Sequence, residues 1–106
     1  MSDDRDNDEK YKQWSRAVKT AGNFQCAICL AKDVYLESHH VWAWNAYPEK
    51  RYLLVNGVSL CKICHDQFHN IWGKGNNTEG QFKQYEEIYK TLRKIAEKQL
   101  EESKEK

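Results

Sequence analysis

The sequence predicts an α+β domain: a small core of two short strands and one helix, stapled by a cysteine cluster and flanked by an N-terminal helix and a long C-terminal helix. Three observations predict it. All four cysteines and all four histidines of the 106 residues fall between Cys26 and His69, in the order Cys26-x-x-Cys29, His39-His40, Cys61-x-x-Cys64-His65-x-x-x-His69. Two short β-rich runs, Val34–His39 and Val58–Leu60, flank an irregular aromatic stretch. Apolar residues recur at helical spacing near both ends.

In chain order, residues 1–8 are acidic and lack hydrophobic anchors, so a disordered lead is expected. Tyr11, Trp14 and Val18 form one apolar face of a helix over Glu9–Lys19, with Gly22 where a C-cap is expected. The Cys26–Cys29 turn precedes the first strand, which runs into the histidine pair. Val41–Leu54, with Trp42, Trp44, Tyr47, Tyr52 and the only proline, Pro48, reads as a loop packed by its own rings. Asn56-Gly57 signals a turn before the second strand. A helix then spans about Lys62–Trp72, carries the second cysteine pair on its first turn and stops at Gly73 and Gly75. Thr78 with Gln81 resembles a capping box for a last helix, about Gln81–Glu101, whose face comprises Phe82, Tyr85, Tyr89, Leu92, Ile95 and Ala96. The domain division is therefore 1–8, 9–78 and 79–106.

A chain this short is one small domain, near the size at which a metal staple supplements a limited core. It contains no apolar run long enough to span a bilayer and no basic-then-apolar leader. The expected location is cytoplasmic, where thiols stay reduced and metal binding outranks disulfide formation. Net charge is only +1, but it is unevenly spread. Residues 1–9 hold five acids and one base, residues 79–106 hold seven of each, and residues 10–78 hold nine bases against four acids. The metal-bearing body is thus basic, which suits a phosphate-rich partner. Ordinary small domains can carry the same excess.

Cys26, Cys29, Cys61 and Cys64 supply the four thiolates of a closed tetrahedral zinc site, with two ligands from each tight turn. Cys61-Lys62-Ile63-Cys64-His65 also matches a c-type haem attachment pattern. That reading leaves the other pair unexplained and requires export. His65 and His69, four apart on a helix, leave one face and can share an ion. His39 and His40, adjacent on a strand, point to opposite faces. One of them can join the metal while the other serves as a general base near neutral pH. The plainer alternative is that one of the pair only fills space.

Leu36-Glu37-Ser38-His39-His40-Val41, Val55-Asn56-Gly57-Val58-Ser59-Leu60 and Cys61–His69 together resemble the HNH endonucleases, the ββα-metal nucleases. Tyr11-Lys12-x-Trp14 and Tyr47-Pro48-Glu49-x-Arg51-Tyr52 extend the likeness, over Arg5–Phe82, to small HNH proteins of phages and prophages. The resemblance implies that His39, His65 and His69 ligate a catalytic divalent ion. It implies that His40 is the general base and that Asn56 braces the loop bearing it. Many members have aspartate where this chain has His39, which favours Mn²⁺, Co²⁺, Ni²⁺ or Zn²⁺ over Mg²⁺.

The implied activity is hydrolysis of DNA phosphodiesters to 5′-phosphate and 3′-hydroxyl with weak sequence preference. Arg16, Lys19, Lys50, Arg51, Lys62 and Lys74 are candidate phosphate contacts, each also readable as a solvated charge. Trp42 and Trp44 either stack on bases or pack their own loop. A non-catalytic zinc-stapled nucleic-acid-binding module is the alternative function. The phage likeness implies a place in DNA packaging beside the large terminase, in the bacterial host cytoplasm. A monomer with one site nicks, whereas a dimer through the last helix brings two sites together.

Overall fold

The computed structural model describes residues 8–104. Helix α1 is Glu9–Ala21, strand β1 Leu36–His40, strand β2 Gly57–Cys61, helix α2 Lys62–Trp72 and helix α3 Glu79–Lys104. Three helices on a two-stranded antiparallel sheet make the α+β class expected from the sequence. None of the described helices is long and apolar enough to cross a membrane.

The acidic lead up to residue 7 lies outside the described residues. Asp8, expected within that lead, instead caps α1: its carboxylate accepts the Lys10 amide at 2.9 Å and the Tyr52 hydroxyl at 2.6 Å. At the other end Gly22 occupies the C-cap, but the left-handed residue is Asn23, with φ 56°. The Asn23 amide donates to Thr20 O and the Phe24 amide to Lys19 O, a Schellman pair that satisfies two end carbonyls.

The β1–β2 ladder sets Leu36 opposite Cys61, His39 opposite Val58 and His40 opposite Gly57. Gly57 is where α1 crosses the sheet. A Cβ there would collide with a Val18 methyl and approach the Trp14 ring to 2.8 Å, so only glycine lets α1 seat. Asn56 closes a short 3₁₀ turn, Leu54–Asn56, rather than sitting in an isolated two-residue turn. The 41–54 stretch is held by its rings as expected: Trp42 meets Tyr47 edge-on at 4.8 Å, and Trp44 meets Tyr52 at 5.7 Å.

The Cys26 turn closes on itself, the Cys26 amide donating to Ala31 O and the Leu30 amide to Cys26 O. It docks on β2 through the Ala27 amide and Ser59 O. The core beneath it gathers Cys26, Ile28, Leu36, Leu60, Cys64, Phe68, Phe82 and Tyr85. Burial of such side chains is the main favourable term for a domain this size. Thr78 and Gln81 form the capping box reciprocally, at 3.2 and 3.4 Å. From there α3 packs through Phe82, Tyr85 and Tyr89 only. Leu92 and Ile95, expected on the same packed face, are about half exposed, because α3 outruns the core beneath it. Past Tyr89, Arg93 still ties back through Nη1 to Ile28 O at 2.9 Å.

Candidate functional site

The two cysteine turns meet where the strand-to-helix junction faces the first knuckle. The four sulfurs lie within 4.8 Å of one another, with Cys29 and Cys61 Sγ 3.7 Å apart. Sulfurs about 2.3 Å from a tetrahedral zinc sit roughly 3.8 Å apart, so the cluster could hold one such ion. Burial pushes the Cys29 and Cys64 thiols up. Burial also raises Cys26, but amide hydrogen bonds from Cys61, Cys29 and Ile28 outweigh it and bring that thiol down to about 7. A bound cation would favour the thiolate at all four.

A second cluster forms where β1 faces α2. His39 Nδ1 lies 3.2 Å from His65 Nε2, and His65 Nε2 lies 3.0 Å from His69 Nε2. The outer nitrogens fix which atoms carry hydrogen. His65 Nδ1 donates to Glu37 Oε1 at 3.2 Å, and His69 Nδ1 donates to the Gly73 carbonyl at 3.0 Å. In the neutral rings both Nε2 atoms are therefore bare lone pairs turned toward each other. That contact is repulsive unless a cation lies between them. Nitrogens about 2.0–2.1 Å from a tetrahedral ion sit roughly 3.3–3.4 Å apart, close to the spacing found. Burial, then the neighbouring His65 and His69, pushes His39 down to about 2, and burial also lowers His65, so both rings stay neutral. His39 Nε2 is buried without a hydrogen-bond partner, with the Phe68 ring edge-on at 4.7 Å.

His40 turns the other way. Its Nε2 donates to the Arg51 carbonyl at 2.9 Å, which leaves Nδ1 as the basic atom of the neutral ring. Trp14 lies flat on it and Trp44 meets it edge-on. Asn56, 2 % exposed, clips the following residues. Its Oδ1 accepts the Trp42 amide at 2.6 Å, and its Nδ2 donates to Trp42 O and Lys50 O at 3.1 and 3.0 Å. The segments carrying His40 and Arg51 are thereby tied together.

One cleft of about 410 Å³ is lined by His40 and Trp44 as well as by His39, His65 and His69. Of the basic residues singled out in the sequence, Lys62 and Lys74 line this cleft. Lys62 is also paired with Asp66 at 3.2 Å. Lys50 and Arg51 sit over Trp42 and Trp44, and Arg51 Nε donates to Trp44 O. Arg16 and Lys19 lie on α1, outside the lining.

Four contributors escaped the sequence reading. Glu37 orients His65, and strand alternation could have found it, being two residues before His39 on the same face. Trp14 was visible as an apolar helix position and in the Tyr11-Lys12-x-Trp14 motif, neither of which points to His40. The Gly73 carbonyl and Asn77 leave no sequence signal: Asn77 Nδ2 donates to the same Gly73 carbonyl that holds His69, and Asn77 O accepts the Ala43 amide.

Residues 26–70 match the family model for the HNH endonuclease. No curated protein and no solved structure matches the chain. The matched segment begins at the first knuckle cysteine and ends one residue beyond His69, so both clusters fall inside it. The two clusters thus lie in a segment similar to the HNH endonuclease, whose general chemistry is that of a nuclease.

Proposed function

We propose that this protein is a metal-dependent DNA endonuclease that hydrolyses phosphodiesters to 5′-phosphate and 3′-hydroxyl. Residues 9–78 are its catalytic unit, and 79–106 are an appended helix. The observation that carries the reading is the pair of Nε2 lone pairs on His65 and His69, aimed at one point beside His39 and sharing a cleft with His40.

In this mechanism His39 Nδ1, His65 Nε2 and His69 Nε2 would hold a divalent ion. Bound there, a Mn²⁺, Co²⁺, Ni²⁺, Zn²⁺ or Mg²⁺ ion would supply charge stabilisation to the phosphate and the departing 3′ oxygen. Glu37 and the Gly73 carbonyl orient the rings of His65 and His69. His40 Nδ1 takes a proton from a water molecule. The oxygen of that water bonds to phosphorus as the phosphorus–O3′ bond breaks. Arg51 O keeps the His40 proton on Nε2, and Asn56 keeps the carbonyl and the imidazole in register. Trp14 covers one ring face of His40, and Trp44 stands against the ring. Lys62 and Lys74 at the rim are the phosphate contacts with direct access to the cleft. The cysteine cluster would take a separate zinc, which would pin the first knuckle to α2.

The test is supercoiled plasmid incubated with Mn²⁺. The wild-type protein nicks or linearises it, and His40→Ala abolishes this while metal content and helicity stay unchanged. Cleavage that persists in His40→Ala would remove the assigned base. DNA retention without cleavage under any of the five ions would favour a binding module.

A further inference from the structure

A second concavity, of about 400 Å³, lies at the end of β1 away from the histidines, lined among others by Lys19, Phe24, Lys32, Val34 and Tyr35. Its two rings are presented outward: Phe24 is 58 % exposed and Tyr35 72 %. Phe24 holds φ 53°, directly after Asn23 at φ 56°. The helix-ending motif needs only Asn23 in that region, so the strain at Phe24 is not explained by the cap. Nor does burial of the ring offset it. Among the described residues neither Lys19 nor Lys32 is ion-paired, and the one acid of the lining is Asp33. Leu36, next to Tyr35, pairs across the ladder with Cys61, next to Lys62. Lys62 lines the histidine cleft. Leu36 lines the second concavity and Glu37 to His40 line the histidine cleft, and from Leu36 to His40 the strand covers about 13 Å at roughly 3.3 Å per residue.

We propose that Phe24 and Tyr35, with Lys19 and Lys32, bind unpaired nucleotides of the strand being cut, so that the protein prefers DNA with a single-stranded flank beside the scissile bond. This rests on the endonuclease reading above. Exposed rings offer faces for stacking, and a base offers its own face only when it leaves the duplex. The two ammonium groups supply phosphate contacts of matching sign. Thirteen ångströms of strand is the reach of a few extended nucleotides, which places the stacked bases just beyond the reacting phosphate.

The experiment uses fluorescent DNAs of one sequence in three forms: blunt duplex, duplex with a single-stranded flank, and single strand. Affinity is read by anisotropy without added divalent ion, and plasmid nicking with Mn²⁺ is run in parallel. The wild-type protein binds the flanked form more tightly than the blunt form by about 5- to 150-fold, the range of one stacked base. Phe24→Ala/Tyr35→Ala removes that ratio, while Phe24→Tyr/Tyr35→Phe keeps it. Lys19→Gln/Lys32→Gln flattens the salt dependence of flank binding. Equal affinity of the wild type for blunt and flanked DNA leaves the rings to a protein partner and overturns the proposal. So does a preference that survives loss of both rings. Nicking without flank preference defeats this proposal alone. Flank preference without cleavage under any ion keeps the binding site and removes the nuclease reading.

Discussion

The indole of Trp14 lies on the imidazole of His40 with ring centroids 3.9 Å apart and planes 11° apart. Trp14 is itself fixed at its far edge, where Nε1 donates to Leu53 O at 2.8 Å. A residue of α1 thus sets the tilt of an imidazole at the end of β1, and the loop that supplies the Arg51 carbonyl also anchors Trp14. His40 has little freedom: one face is covered, one edge is tied, and Trp44 stands against it.

Trp14 should therefore be a positioning residue. Trp14→Phe keeps an aromatic face on His40 but loses the bond to Leu53 O. Trp14→Ala loses both and leaves a cavity costing about 3–5 kcal/mol. Plasmid nicking is expected to fall by about 10-fold in Trp14→Phe, since a small misplacement of a proton acceptor is expensive. Metal content should stay at the wild-type value. Nicking by Trp14→Phe at the full wild-type rate would mean that the indole only fills space.

Asn56 saturates three backbone groups from inside the fold. Asn56→Ala leaves the Trp42 amide and two carbonyls unpaired, at about 1–3 kcal/mol for each group that water cannot reach. Asn56→Asp should do worse than its size suggests, because it sets a carboxylate oxygen against the Trp42 and Lys50 carbonyls. Urea unfolding should rank stability as wild type, then Ala and Asp. Nicking should drop more than stability at temperatures where both variants are folded.

Much of this site could be read from the chain because its geometry is local. His65 and His69 share a helix face through their spacing, and Thr78 with Gln81 announces the start of α3 two residues before the expected Gln81. The opposite facing of His39 and His40 follows from strand alternation. What could not be read depends on partners far along the chain. Trp14 reaches His40 across 26 positions, and Gly57 matters because Val18 and Trp14 sit above it. The Gly73 carbonyl is main chain, so no side-chain pattern reports it. The apolar stripe of α3 was legible, but periodicity cannot tell how far a core extends beneath a helix.

Removing one thiolate should dismantle the knuckle. Cys61 ends β2 and caps α2, so Cys61→Ser affects the strand, the helix and the cluster together. The variant is expected to lose one equivalent of bound metal by mass spectrometry. It should also lose helicity, since metal binding in such sites is folding free energy. A Cys61→Ser protein with full metal content and wild-type melting would rule out the four-thiolate site.

The buried imidazoles set a direction for acid sensitivity. His39 is held at about 2, chiefly by burial, against an ordinary 6.5, and His65 is lowered for the same reason. Between those limits the unfolded chain binds protons that the folded chain refuses, so stability falls as pH drops through 6.5 and below. One such group can contribute at most about 1.4 kcal/mol per pH unit. Without added divalent ion, urea unfolding at pH 5.5 should show about 1–2 kcal/mol less stability than at pH 7. His39→Gln should reduce that difference, because the replacement does not titrate. A pH profile identical in the variant would place the acid sensitivity elsewhere.

Gly57 gives the most direct test of how α1 is seated. It pairs with His40 across the ladder, and a methyl group there would press into Val18 and Trp14. Both neighbours are buried, so neither can swing aside into solvent. Gly57→Ala must either lift α1 from β2 or push Trp14 along the face of His40. Overpacking of this kind typically costs about 1–3 kcal/mol. The extended backbone of Gly57, at φ −125°, imposes no strain on alanine. Any loss must then come from the collision. The expected outcome is a lower melting temperature together with slower nicking, and Val18→Ala in the same chain should restore part of both. If Gly57→Ala melts and cuts like the wild type, α1 does not press on the sheet at this point, and the stacking of Trp14 on His40 loses its support.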